Sequence, residues 1–227
     1  MNKKHFVARI VRVVGYCAVC SAALLIGDIA WWLWDVTREP SVLLPTGGMA
    51  NLDQRIRNVI STHPYALQCR AVEAFNAPAL KRIATGSTIV KISYSIRRPR
   101  LINWLHPSNI GFWHQVLIVP ADQSSEVSII RMLDVSDFEK ALLAYRMTVR
   151  SEEDAAVVYQ AWYESAYCYQ YQTIGRRANA LDDDHVVCEN EQSIWRIGRS
   201  NTPPCLWACT VETNDEGVVQ KFRTCAK

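Results

Sequence analysis

One run near the start of the chain limits what it can fold into. From Val13 to Trp34 the chain is predominantly apolar, with Asp28 its one charged residue. A helix of about 20 such residues crosses the roughly 30 Å hydrocarbon core of a bilayer. The run is therefore expected as a transmembrane helix over 13–34. Lys3, Lys4, Arg9 and Arg12 precede it with no acidic residue among them, and Asp35, Arg38 and Glu39 follow it. Excess Lys and Arg stay on the cytoplasmic side, which places 1–12 inside and the chain after about 38 outside. Trp31, Trp32 and Trp34 sit at the outer end, where indoles favour the headgroup layer. Asp28 lies about one turn from that end, within reach of the interface or of a partner helix, so its cost is modest.

A cleaved signal peptide is the alternative. Ser21-Ala22-Ala23 has the small residues for cleavage, but cutting there leaves LLIGDIAWWLW as an apolar new terminus. Asp28-Ile29-Ala30 has the wrong residue at its first position. Lipoprotein processing is disfavoured too, since Tyr16 precedes Cys17 and Val19 precedes Cys20. The retained anchor is the expectation. Cys17 and Cys20 share a helix face and act in hydrocarbon as small apolar groups. With Gly15, Ala18 and Ala22 they favour close helix approach, hence self-association through this helix.

The chain has 227 residues and a net charge of +3. Part of that charge belongs to the inner terminus, so the exported part is near neutral and nucleic acid is not an expected partner. Arg97-Arg98-Pro99-Arg100 reads as a solvated turn, with contact to anionic lipid as the sharper alternative. Beyond the helix lie Cys69, Cys168, Cys188, Cys205, Cys209 and Cys225. An even number outside a membrane implies disulfides. Cys205 or Cys209 can meet Cys225 across a closing hairpin, Cys168 can close a polar loop with Cys188, and Cys69 takes the remaining partner. No N-x-S/T sequon occurs, which suits a bacterial envelope.

Residues 35–50, with Pro40, Gly47 and Gly48, read as a linker, and 51–227 as one α+β domain with an antiparallel sheet. A short amphipathic helix is expected over 51–61. Strands are expected over 67–75, 88–97, 112–119 and 127–133, then 193–197, 206–212 and 218–224, the last pair turning at Gly217. In 88–97, Val90, Ile92, Tyr94 and Ile96 alternate with Lys91, Ser93, Ser95 and Arg97, the pattern of a half-buried strand. Ser136-x-x-Glu139 and Ser151-x-x-Asp154 are capping boxes, opening helices through about Tyr145 and Tyr171.

Chemistry is sparse. His106 and His114 with Trp104 and Trp113 form a candidate acid–base pair, although His114 falls inside a strand. Asp182, Asp183, Asp184, His185 and Cys188 are metal-ligand types in no metal-motif spacing. No nucleophile elbow or phosphate loop is present, and neither a cofactor nor a metal is expected. The second long helix is crowded with aromatics: Tyr159, Trp162, Tyr163, Tyr167, Tyr169 and Tyr171. They cover most of its circumference, so some must meet something beyond one core. Tyr and Trp favour interfaces, which makes Tyr159, Trp162, Tyr163 and Tyr167 the candidate partner-binding face. The expected function is a membrane-anchored, periplasmic protein-binding domain on the inner membrane, of secretion-subunit or toxin-immunity type, with an exported or envelope protein as partner. An envelope hydrolase using His106, His114 or the Asp182–His185 loop is the alternative.

Overall fold

Val- and Ile-rich runs build two sheets, and the apolar helices fill the space between them. A computed structural model describes residues 3–44, 52–95, 99, 112–166, 168, 186–199 and 208–224. The first sheet has strands β1 (Ser41–Leu43), β2 (Cys69–Ala74), β3 (Thr88–Ser95), β4 (Phe112–Val119) and β5 (Ser128–Arg131), side by side in chain order. β1 runs parallel to β2 and every other pair is antiparallel. The second sheet, β6 (Val186–Glu191), β7 (Ile194–Arg199), β8 (Cys209–Thr213) and β9 (Val219–Thr224), is antiparallel throughout. The fold is α+β, but the first sheet is mixed. The supposed linker supplies the reason: Ser41–Leu43 leaves the end of the apolar helix and joins the sheet edge instead of hanging free.

The helices are α1 (Lys3–Thr37), α2 (Gln54–Thr62), α3 (Pro78–Ile83), α4 (Val135–Ala144) and α5 (Glu152–Ala166). α1 contains the apolar stretch Val11–Thr37, long enough to span a membrane, with a mean hydropathy of 1.9 in its most apolar part. Such a helix serves equally as an anchor or as a signal sequence. α2 places Ile56 and Ile60 on one face of the first sheet, over Val72, Val90, Ile92, Tyr94 and Leu117. The opposite face, with Phe75, Ile89, Val116, Ile118 and Ile130, shares a larger core with α3, α4, α5 and the second sheet. The layers thus run helix, sheet, helices, sheet.

Ser151 and Asp154 form the expected capping box. Asp154 N–H donates to Ser151 Oγ at 3.2 Å, and Ser151 N–H donates to Asp154 Oδ2 at 3.2 Å. The box at Ser136 does not form. Asp134 caps α4 by accepting from Asp137 N–H at 3.1 Å. Glu139 instead accepts the Phe222 N–H at 2.8 Å, tying α4 to β9.

α3 has no cap of its own, since Ala77 precedes it and Pro78 opens it. Glu164 of α5 closes that end, accepting from Ala79 N–H at 3.1 Å and Leu80 N–H at 3.0 Å. Burial pushes the Glu164 carboxyl up from 4.5 to about 7, against the pull of those two N–H groups. Its folded-state value lies above the unfolded one, so its contribution is fully present below pH 4.5 and is lost as pH rises through 7. The stability of the protein relative to Glu164→Gln should therefore fall by about 3 kcal/mol between pH 4 and 8. Denaturant unfolding of both proteins across that range checks it; parallel curves would show a carboxyl that binds its proton equally well in the folded and unfolded chain.

No disulfide forms among the described residues. Cys69 belongs to the core under α2, on the far side of the first sheet from Cys168 and Cys209. It cannot take a leftover partner among them, and burial pushes its thiol up to about 11. The Cys168–Cys188 pairing also fails. Cys188 Sγ donates to Glu152 O at 3.7 Å, at the start of α5. Cys168 lies past the other end of that helix, about 24 Å along it. Cys188 and Cys209 both sit opposite Ile197, on either side of it, so two strand spacings of about 10 Å separate them. A disulfide needs Cα atoms within about 7 Å. Cys205 and Cys225 lie outside the described residues.

Candidate functional site

The aromatic helix is the first site to place. α5 lies in the middle layer with both sheets contributing to the core around it, and from Ala155 to Ala166 only Gln160 is fully exposed. A helix that is apolar around its whole circumference is a buried helix. Trp162, at 8 % exposure, packs against Phe138 and Phe222 with ring centroids 5.3 and 5.5 Å away. Tyr159 is buried as well, and Tyr163 is half-buried. Two of the four residues expected on a partner-binding face are therefore core residues, and no partner reaches them without opening the domain. Tyr167 lies outside the described residues, as do His106, Asp182–His185, Tyr169, Tyr171 and the arginines of 97–100.

The structure brings together a polar row that the sequence pattern conceals. β3 lies between β2 and β4, and its polar face is on the side of the sheet turned to the larger core, with Lys91 and Ser95 buried and Ser93 half-buried. Lys91, at 1 % exposure, pairs with Glu73 on β2 at 2.7 Å. Its Nζ also stands 5.8 Å from the centroid of the Phe75 ring. Next along the same face, Ser93 Oγ and His114 Nδ1 are 2.9 Å apart, and the imidazole tautomer decides which one donates. Strand register places these residues together: Glu73 faces Lys91, and Ser93 faces His114. The alternation in β3 reports the pleat correctly; it does not report that both faces are buried.

A serine beside a histidine is a hydrolytic arrangement in principle. Burial, with the Lys91 cation next, brings His114 down to about 4, and Glu73 opposes this only in part. An imidazole that holds a proton so weakly is a poor general base near pH 7. The row is better suited to fixing the register of the central strands than to proton transfer.

The second candidate is the far edge of the first sheet. β5 pairs with β4 on one side, and among the described residues no strand pairs with its other side. A groove of about 570 Å³ follows this edge, lined by Pro120, Val127, Ile129, Lys140, Ala144 and Tyr145. Arg131 at the end of β5 is forked onto Asp137, with Nε 2.6 Å from Oδ2 and Nη2 2.9 Å from Oδ1. Between them Leu133 adopts a positive φ of 61° and is 52 % exposed. A leucine in the left-handed region costs roughly 1–2 kcal/mol, and such strain clusters where a chain has a function to serve. Nothing in the sequence pattern marks this residue, because its backbone angle is set by the turn between β5 and α4. No family model, curated protein or solved structure matches the chain.

Proposed function

We propose that the chain is a membrane-anchored protein-binding domain of the bacterial envelope, held by α1 in the inner membrane with the domain outside. Its partner is an exported or envelope protein presenting an extended segment to the β5 edge. The observation that carries this reading is the β5 edge, unpaired among the described residues and followed by a groove, with Leu133 strained and exposed just beyond the end of the strand. Unpaired strand edges accept another strand through main-chain hydrogen bonds, while flanking pockets select its side chains. The groove replaces the aromatic face of α5 as the docking surface. The basic residues ahead of the apolar stretch of α1, against the mixed set Asp35, Arg38 and Glu39 at its other end, support the orientation. Self-association through Gly15, Ala18 and Ala22 remains part of this reading.

A photo-crosslinking side chain at position 129 should give a discrete adduct in cells. Leu133→Gly relieves the strain, so stability should hold or rise by up to about 1 kcal/mol. Adduct yield should fall about tenfold. No adduct, or one indifferent to Leu133→Gly, rejects this edge as the docking site.

A further inference from the structure

We infer that the domain rests directly on the bilayer, with Leu67, Tyr65, Trp31 and Trp34 forming a collar in the interfacial layer around the exit of α1. The inference rests on the anchor reading and adds to it a second membrane contact, made by the domain itself.

The argument begins with where α1 stops being bare. Val11–Gly27 is exposed at every position. From Asp28 onward, Asp28, Ile29, Trp32, Asp35 and Val36 are partly or fully covered, and Val36 is only 6 % exposed. Those positions recur at the spacing of one helix face. The last turns of α1 are thus packed on the domain. Arg70 of β2 holds Asp35 at 3.1 Å, and the 3-10 turn Ala66–Gln68 lies against the helix.

A bilayer cannot surround a helix where protein already covers it, so the hydrocarbon-embedded part ends near Gly27. Val13 to Gly27 measures about 22 Å as a helix, well short of a typical core of about 30 Å. A short span is accommodated by thinning the bilayer or by drawing its flanks inward. What is drawn inward here is apolar. Leu67, in the turn packed on α1, is 73 % exposed, and Tyr65 beside it is also exposed. Trp31 and Trp34 project from the uncovered side of α1, with the Arg38 guanidinium 6.0 Å from the Trp34 ring. Indoles, phenols and arginine are the groups that settle at the headgroup boundary. Continuity with the span identifies the lipid surface as the occupant of this apolar ring.

The test uses the full chain in phosphatidylcholine vesicles, with an environment-sensitive fluorescent amino acid placed singly at position 25, 67 or 220. Position 25 lies in the span, and Gln220 is an exposed control on β9. Lipids carrying a nitroxide near the headgroup should quench the probe at 67 several-fold more than the probe at 220. Nitroxides deep in the acyl chains should quench the probe at 25. Quenching at 25 with position 67 behaving like 220 overturns the collar and leaves the anchor standing. A probe at 25 that no lipid quenches overturns the anchor, and the collar with it.

Discussion

Trp162→Ala is expected to lower the unfolding free energy by about 3–5 kcal/mol, the range for removing a large aromatic from a packed core. Trp162, Phe138 and Phe222 form a cluster in which the two phenyl rings are 4.8 Å apart in edge-to-face contact. The cluster joins α5, α4 and β9, so the indole holds the second sheet to the helices of the first. Aromatic pairs in this geometry add about 0.5–1.5 kcal/mol beyond area burial. Tyr163→Ala, next along the helix and half-buried, should cost markedly less. Denaturant unfolding of the two variants provides the comparison. An unchanged midpoint for Trp162→Ala would put the indole at the surface and restore α5 as a docking face.

Lys91→Met should cost a similar amount, about 3–5 kcal/mol, because it leaves Glu73 buried without its counter-charge. Adding Glu73→Leu should return most of that loss, since replacing both members of a buried ion pair by apolar groups is often neutral or stabilising. The single and double variants together measure the pair. A silent Lys91→Met would show the ammonium to be solvated. The imidazole of His114 gives a second readout. Lys91 helps hold it at about 4, so Lys91→Met should move its titration upward in an NMR pH series.

Local chemistry made much of this fold legible. Pro120 and the apolar run before it delimit β4, and Ser151 with Asp154 marks the start of α5. The misreadings share a physical cause: a competing contact distant in sequence or an unfamiliar turn. Ser136 and Glu139 have the spacing of a box, but Asp134 takes the capping bond and Glu139 is drawn to a strand 83 residues away. The β6–β7 hairpin was hidden because Gln192 and Ser193 both take positive φ, 50° and 65°, at a turn that usually announces itself with Asn or Gly. α3, with six residues, is too short to show periodicity. Lys91 and Ser93 read as a solvent face because the layer packed on that face and their partners on β2 and β4 cannot be seen from one strand's alternation. The aromatics of α5 raised a sound question, and the second sheet answers it from within the domain. The candidate site was the least legible part, since an unpaired edge and a strained leucine exist only once the strands have been arranged.

The bond between Glu164 and the start of α3 also bears on the order of assembly on the ribosome. Ala79 and Leu80 are made 85 and 84 residues before the carboxylate that satisfies their N–H groups. Val149, just ahead of α5, is secured by the carbonyl of Gly217, and Phe138 waits for Phe222. α1 is made before the domain, and its apolar stretch can enter a bilayer early. The domain behind it cannot close its larger core until β8 and β9 have been synthesised. A nascent chain therefore passes through a stage in which α1 is complete while the α3 end and the Phe138 ring are still uncovered.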